Sequence, residues 1–284
     1  MASIRIVAGW LLALGAALQA APAALAQGAT YRFSPVNQWD IAKTAAYWNP
    51  IVQYVSDKSG VRLELKIGRT SADTTSYVLA QEVEFVFSNH LFSPEREALG
   101  WKVFGRRNVP QLYGQIAVPE DSSVRRLEDL QGKTVVFAGR EAFVGYKVPY
   151  AQLIARGIQV KTDFGGNQNA AFAQMFAGKA QATGSNSMLI EGYANREGRK
   201  FRVLWTSEGY HDLALMASGK VPEKDVRAVA QAFLGMHRDP VGREILHKAS
   251  QSVGLGADAH FVPSGEDDYA PYRRFYQTAP AAVR

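Results

Sequence analysis

Along this chain, segments whose apolar residues recur at every second position alternate with segments whose apolar residues recur at i, i+3, i+4 and i+7. That alternation restricts the fold to α/β layers in which helices flank mostly parallel sheets. The strand candidates are Tyr31–Val36, Val61–Ile67, Val83–Phe87, Leu112–Val118, Thr134–Ala138, Ala180–Thr183, Phe201–Thr206 and Leu213–Ala217. In Val61–Ile67 the apolar residues Val61, Leu63, Leu65 and Ile67 alternate with Arg, Glu and Lys, as a half-buried strand requires. Trp48, Ile51, Val52 and Val55 mark a helix that Gly60 stops and that Pro50 kinks or opens. Further helices are expected at Val148–Arg156 and at Glu223–Met236, where Val226, Val229, Ala230 and Phe233 form one stripe.

The pattern completes one βαβαβ unit by Phe87, starts another after Val118 and returns near Tyr210. This predicts two lobes, one made of residues 27–117 plus 211–284 and the other of 118–210, with a cleft between them. Ligands of such sheets bind in a crevice at strand C-termini. The loops to inspect are therefore Asn37–Asp40, Ser88–His90, Gly139–Gly145, Gly165–Asn169 and Ser185–Ser187.

Residues 1–26 read as an export signal. Arg5 gives a positive start, Val7–Ala21 is apolar, and Ala24-Leu25-Ala26 offers small residues for cleavage before Gln27. The apolar run is too short to span a bilayer, so a freely diffusing protein of the bacterial periplasm is expected, not anchored to the membrane. A lipid anchor would need a cysteine, and the sequence has none. The same absence excludes disulfides, thiolate nucleophiles and cysteine-based metal sites.

Motifs for catalysis fail one by one. Gly132-Lys133-Thr134 resembles the end of a phosphate-binding loop but precedes a strand, so it reads as a turn. His90, His211, His237, His247 and His260 are scattered without metal-ligand spacing, and no serine sits in a nucleophile elbow. No metal and no cofactor are expected. The formal net charge of +6 is dispersed among acids, which argues against nucleic acid, and Arg106-Arg107 and Arg273-Arg274 read as solvated pairs.

Several stretches then occur together in a telling order: Thr44–Gly60 with Trp48-Asn49-Pro50-Ile51, Leu127-Glu128-Asp129-Leu130-Gln131-Gly132-Lys133-Thr134, Gly145-Tyr146-Lys147-Val148-Pro149, Gly165-Gly166-Asn167, Phe176-Ala177-Gly178-Lys179 and Asp239-Pro240-Val241-Gly242-Arg243. Their order resembles the periplasmic phosphate/phosphite/phosphonate-type substrate-binding proteins of ABC transporters. The resemblance implies a type II periplasmic binding protein fold: two lobes, mixed sheets with flanking helices, and a hinge cleft.

It also implies a departure at the ligand loop. Relatives carry a Ser-Thr-Ser-like run before the Gly-Tyr, where hydroxyls and backbone N–H groups hold an oxyanion. Here Ala142-Phe143-Val144 supplies no hydroxyl, and each unmade bond to a buried anion costs about 1–3 kcal/mol. Asn167 stands where relatives place a histidine, Ser185-Asn186 replaces an acidic residue, and Asp212 fits the family's carboxylate. The expected ligand-binding residues are Gln38, Trp39, Asn89, His90, Phe143, Tyr146, Asn167, Tyr210, His211 and Asp212. They suit a small organic solute with an apolar body and a neutral or positive pole near Asp212. The bland alternative has Phe143 and Tyr146 packing a helix on the sheet and Asp212 pairing structurally.

The expected function is a receptor that closes on a small-molecule solute and delivers it to an ABC permease, with a ligand other than the usual phosphonate. A ligand-sensing subunit docking on a sensor kinase is the alternative. An enzyme on the same fold is the remote one, because no nucleophile or acid–base pair stands out.

Overall fold

The computed structural model describes residues 29–284 apart from residue 71. The export signal and its cleavage point lie outside the described residues. In chain order the strands are β1 (Thr30–Pro35), β2 (Arg62–Leu65), β3 (Phe85–Ser88), β4 (Lys102–Arg107), β5 (Leu112–Pro119), β6 (Thr134–Phe137), β7 (Lys161–Phe164), β8 (Ala182–Asn186), β9 (Phe201–Tyr210), β10 (Ala214–Ala217) and β11 (Phe261–Pro263). The helices are α1 (Ile41–Ser59), α2 (Asp73–Leu79), α3 (Pro94–Glu97), α4 (Val148–Ala155), α5 (Gln168–Phe176), α6 (Ser187–Glu197), α7 (Glu223–Gly235), α8 (Pro240–Val253) and α9 (Ala270–Thr278).

Two sheets organise these elements, in the orders β11-β4-β10-β3-β1-β2 and β7-β6-β8-β5-β9. They are mixed, where helix–strand alternation alone suggested mostly parallel pairing. β1 runs parallel to β2 and β3, and β6 parallel to β7 and β8. The antiparallel pairs cluster where the chain passes between the sheets, on β5 with β8 and β9 and on β10 with β3 and β4. The chain leaves the first sheet after Arg107 and returns to it at Ala214. The sequence boundary at 117/118 falls inside β5, all of which is hydrogen-bonded into the second sheet.

Local chemistry explains the main elements. Asp40 caps α1 by accepting from Lys43 N at 2.9 Å, and Gly60 ends it in the left-handed conformation at φ 68. The α1 stripe Tyr47, Trp48, Ile51, Val52 and Val55 is buried against Phe33, Phe87 and Phe261 of the first sheet. Pro50 lies in mid-helix instead of opening it, so the ring removes one main-chain bond while the buried stripe on both sides holds the helix together. β4, β7 and β11, short and irregular in pattern, were not foreseen as strands.

One backbone approach shapes the cleft. Between β6 and α4, Phe143–Lys147 winds into a π-helical turn that lies against β5 and β8. A Cβ on Gly184 would stand 2.3 Å from the Phe137 ring and 2.8 Å from the Gly145 carbonyl, and one on Gly114 would stand 2.9 Å from the Val144 carbonyl. Glycine at both positions lets the loop seat directly on the strands.

Candidate functional site

Between the lobes lies a cavity of about 40 Å³. It takes residues from each of the five post-strand loops: Asn37 and Gln38, Asn89 and His90, Ala142–Gly145, Gln168, and Asn186, with Leu189 and Leu213 closing its sides. No Lys, Arg, Asp or Glu side chain is among its lining residues.

Five of the lining polar side chains are held by named neighbours. Asn37 donates Nδ2 to the Gly68 carbonyl at 2.6 Å, which leaves its Oδ1 buried without a partner. Gln38 accepts from Arg107 Nη2 at 2.9 Å, which leaves its Nε2 unpartnered. Asn186 caps α6, its Oδ1 accepting from Leu189 N at 2.9 Å. Gln168 opens α5 and donates Nε2 at 3.4 Å to both Thr183 Oγ1 and the Gly184 carbonyl. His90 is fully buried with Nδ1 2.9 Å from Thr75 Oγ1. Burial holds its pKa down to about 4, so the ring is neutral at pH 7.

Beneath Gln38 sits a buried ion pair that the sequence did not reveal. Arg107 Nε and Nη2 donate to Asp212 at 2.6 and 3.2 Å, with both side chains at most 1% exposed. The guanidinium is flanked by Phe87 at 4.8 Å and by Trp39 and Tyr47 at 5.9 Å. Arg106-Arg107 is therefore not a solvated pair: the β4 pleat puts Arg107 on the inner face with Gly105. Asp212, spoken for by Arg107, is not available as a counter-charge for a ligand, and its main-chain carbonyl accepts from Tyr269 at 2.7 Å.

Of the ten expected ligand residues, Gln38, Asn89, His90 and Phe143 line the cavity. The other six do not. Trp39 packs on Tyr47 at 5.4 Å, and Tyr146 packs among Phe137, Tyr150 and Phe164 in the second-lobe core. Asn167 is consumed as the N-cap of α5, accepting from Ala170 N at 3.0 Å. Tyr210 packs edge-on against Phe143 at 5.3 Å, while His211 faces Asp268 at 4.0 Å on the flank. Gln168, Asn186 and Asn37 were missed, although two of them follow from capping. An Asn that starts a helix turns inward at its own amide or hands that orientation to the next residue.

The lobes touch on both sides of the cavity. Arg96 of α3 pairs with Glu141 and donates to the His90 carbonyl at 2.8 Å. Phe143 enters an aromatic nest of Tyr272, Phe275 and Tyr276 on α9, with ring centroids 4.3, 4.9 and 5.5 Å away. On the opposite side Asn169 donates to Asp40 at 3.5 Å, and Arg196 reaches both Asn169 Oδ1 at 3.1 Å and the Val253 carbonyl at 3.4 Å. Burial pushes the Lys147 ammonium below its usual pKa, and its Nζ lies 5.1 Å over the Tyr276 ring. Elsewhere the rings of His237 and His260, distant in sequence, lie 4.5 Å apart and tilted by 37°. Among the described residues no group of three or more His, Asp or Glu is placed to hold a metal.

Two interleaved lobes closing over an amide-lined cavity define a solute-binding receptor of the two-lobed type. Residues 33–269 match the family model for the periplasmic substrate-binding protein of phosphonate ABC transporters, and the chain belongs to that family. Its fold is similar to that of a binding-protein component of an ABC phosphonate transporter from Pseudomonas aeruginosa, with a TM-score of 0.76 at 14% identity over 88% of this chain and 87% of that one. A Prochlorococcus marinus protein in complex with methylphosphonate gives 0.72 at 12% identity over 87% and 97%. A chloride-bound protein of Xanthomonas citri gives 0.67 at 15% over 89% and 97%. No curated protein sequence matches the chain. Among the described residues no helix is long and apolar enough to cross a membrane.

Proposed function

We propose that this chain is the solute receptor of an ABC uptake system and that it captures its ligand in the interlobe cavity. The observation that carries this reading is the lining itself. Both lobes contribute to it, and buried polar atoms of Asn37 and Gln38 there lack any protein partner. An unpaired buried polar group costs about 1–3 kcal/mol, so a ligand that pairs with it gains affinity and stabilises the closed lobes. In this reading one lobe ends at Arg107 and resumes at Ala214, the other spans Leu112–Tyr210, and the links 108–111 and 211–213 act as the hinge.

The ligand in this reading is not the usual phosphonate. The turn that faces the cavity presents Ala142, Phe143 and Val144, and Phe143 is fixed in the α9 nest instead of being free to meet a dianion. No cationic side chain lines the cavity to offset one. The test is a thermal-shift screen of the mature protein against a library of small solutes, followed by X-ray scattering on each hit. A receptor gains melting temperature and shows a smaller radius of gyration with ligand than without it. Hits that bind without affecting the interlobe distance would refute capture between lobes.

A further inference from the structure

Four of the five carboxamides around the cavity, those of Asn37, Gln38, Gln168 and Asn186, have orientations that the rest of the fold dictates. The Gly68 carbonyl can only accept, so Asn37 must turn Nδ2 to it and leave an acceptor, Oδ1, buried and unpartnered. Arg107 can only donate, so Gln38 must turn Oε1 to it and leave a donor, Nε2. The second lobe repeats the arrangement. Leu189 N holds Asn186 Oδ1, freeing an NH₂ donor, and Gln168 spends its NH₂ on Thr183 and Gly184, freeing an Oε1 acceptor. That Oε1 sits 3.6 Å from where a Cβ on Gly145 would be, beside the π-helical turn.

The pair Asn37 and Gln38 of the first lobe, and the pair Gln168 and Asn186 of the second, therefore each supply one fixed acceptor and one fixed donor, beside Asn89 and His90, to a chamber with no charged lining residue. An oxyanion, which only accepts, would face the oxygens of Asn37 and Gln168; an ammonium, which only donates, would face the amide nitrogens of Gln38 and Asn186. Below Gln38 the charges of Arg107 and Asp212 neutralise each other, and beside His90 lie the pair Arg96–Glu141 and the buried Lys147. The chamber of about 40 Å³ restricts the ligand to a small solute.

We propose that the ligand is a small uncharged solute of the carboxamide or urea type, with an N–H beside a C=O and about four heavy atoms. This rests on the receptor reading and narrows it to a chemical class. Such a solute presents donors to Asn37 and Gln168 and an acceptor to Gln38 and Asn186. Its size caps affinity at a dissociation constant on the order of tens of micromolar.

The experiment is differential scanning fluorimetry and calorimetry on the mature protein with acetamide and urea, against methylphosphonate, phosphate, acetate and methylammonium, each up to about 10 mM. At one hundred times its dissociation constant, acetamide or urea should raise the melting temperature by about 5–10 °C. Gln38→Glu, which replaces the donor with a carboxylate beside Arg107, should weaken amide binding by at least tenfold. Gln168→Leu, which removes the second-lobe acceptor without touching the ion pair, should do the same. Should Gln38→Glu fail to fold, Gln168→Leu carries the comparison. A response to an oxyanion or to methylammonium with the amides inert overturns the ligand class and leaves the receptor reading standing. A chain that ignores all of these small probes but closes on a larger solute also overturns the class alone. Binding of amides without change in either variant overturns their assignment to these four side chains.

Discussion

Replacing Asp212 by Asn should destabilise the protein more than almost any other single polar change, because it strands the Arg107 guanidinium in the first-lobe core. The pair is bidentate at 2.6 and 3.2 Å, and both side chains are essentially out of contact with solvent. Taking a charge separation of about 4 Å and an effective dielectric of about 20, the lost attraction is about 4 kcal/mol, in line with the 3–5 kcal/mol cost of breaking a buried pair. At 2–4 °C per kcal/mol for a chain of this size, the melting temperature should fall by about 6–20 °C. The double change Arg107→Met with Asp212→Leu removes both charges and should recover most of that loss, apart from about 1 kcal/mol for the donor that Gln38 gives up. Thermal melts and guanidinium titrations on Arg107→Met, Asp212→Leu and the double form a cycle that isolates the coupling. A loss below about 1 kcal/mol for Asp212→Asn, or a double variant weaker than either single, would refute the argument that the pair is held closed by its own desolvation.

Three further outcomes follow from other contacts. His90 is held near pKa 4 by burial while an unfolded histidine titrates near 6.5, so the unfolded chain binds the proton first as pH falls. Stability that is present above pH 6.5 should therefore decline by about 3 kcal/mol on passing to pH 4, and His90→Gln should flatten that part of the profile in pH-dependent melts. Phe143→Ala empties the nest formed by Tyr272, Phe275 and Tyr276 and should cost about 3–5 kcal/mol in denaturant titrations; a smaller loss would mean that α9 does not grip the loop. Arg96→Met severs the link to Glu141 and should raise the population of open lobes about fivefold, read as a larger radius of gyration in scattering.

The layered architecture was legible because apolar periodicity survives in long elements such as α1 and β5, where one face is buried throughout. It failed for β7 and β11, which are three or four residues long and half exposed, too short for a period to declare itself. The loops that build the cavity were legible from topology, since strand ends face the crevice whatever their side chains. The individual residues were harder. Aromatic character drew attention to Tyr146 and Trp39, yet a large ring next to a cleft has more to gain from the core than from solvent. Arg107 was hidden by the habit of reading paired arginines as surface. Past the irregularity in β4, Arg107 lies two positions on from the buried Gly105 and so on the same inward face, which makes a buried partner such as Asp212 necessary. Gln168 and Asn186 emerge only once capping is assigned, because a single-residue offset decides which amide points inward.

The order of the first sheet bears on how the chain acquires its shape. β4 has no hydrogen-bonded neighbour in the N-terminal half; its partners are β10 and β11, which lie more than a hundred residues further along. A nascent or truncated chain ending before Ala214 would carry an unpaired β4 and an exposed edge on β3, whereas the strands of the second sheet, Leu112–Tyr210, are contiguous and can pair with one another at once. The strands of the second sheet can therefore pair before the first sheet is complete, and fragments that stop short of β10 should aggregate through that open edge.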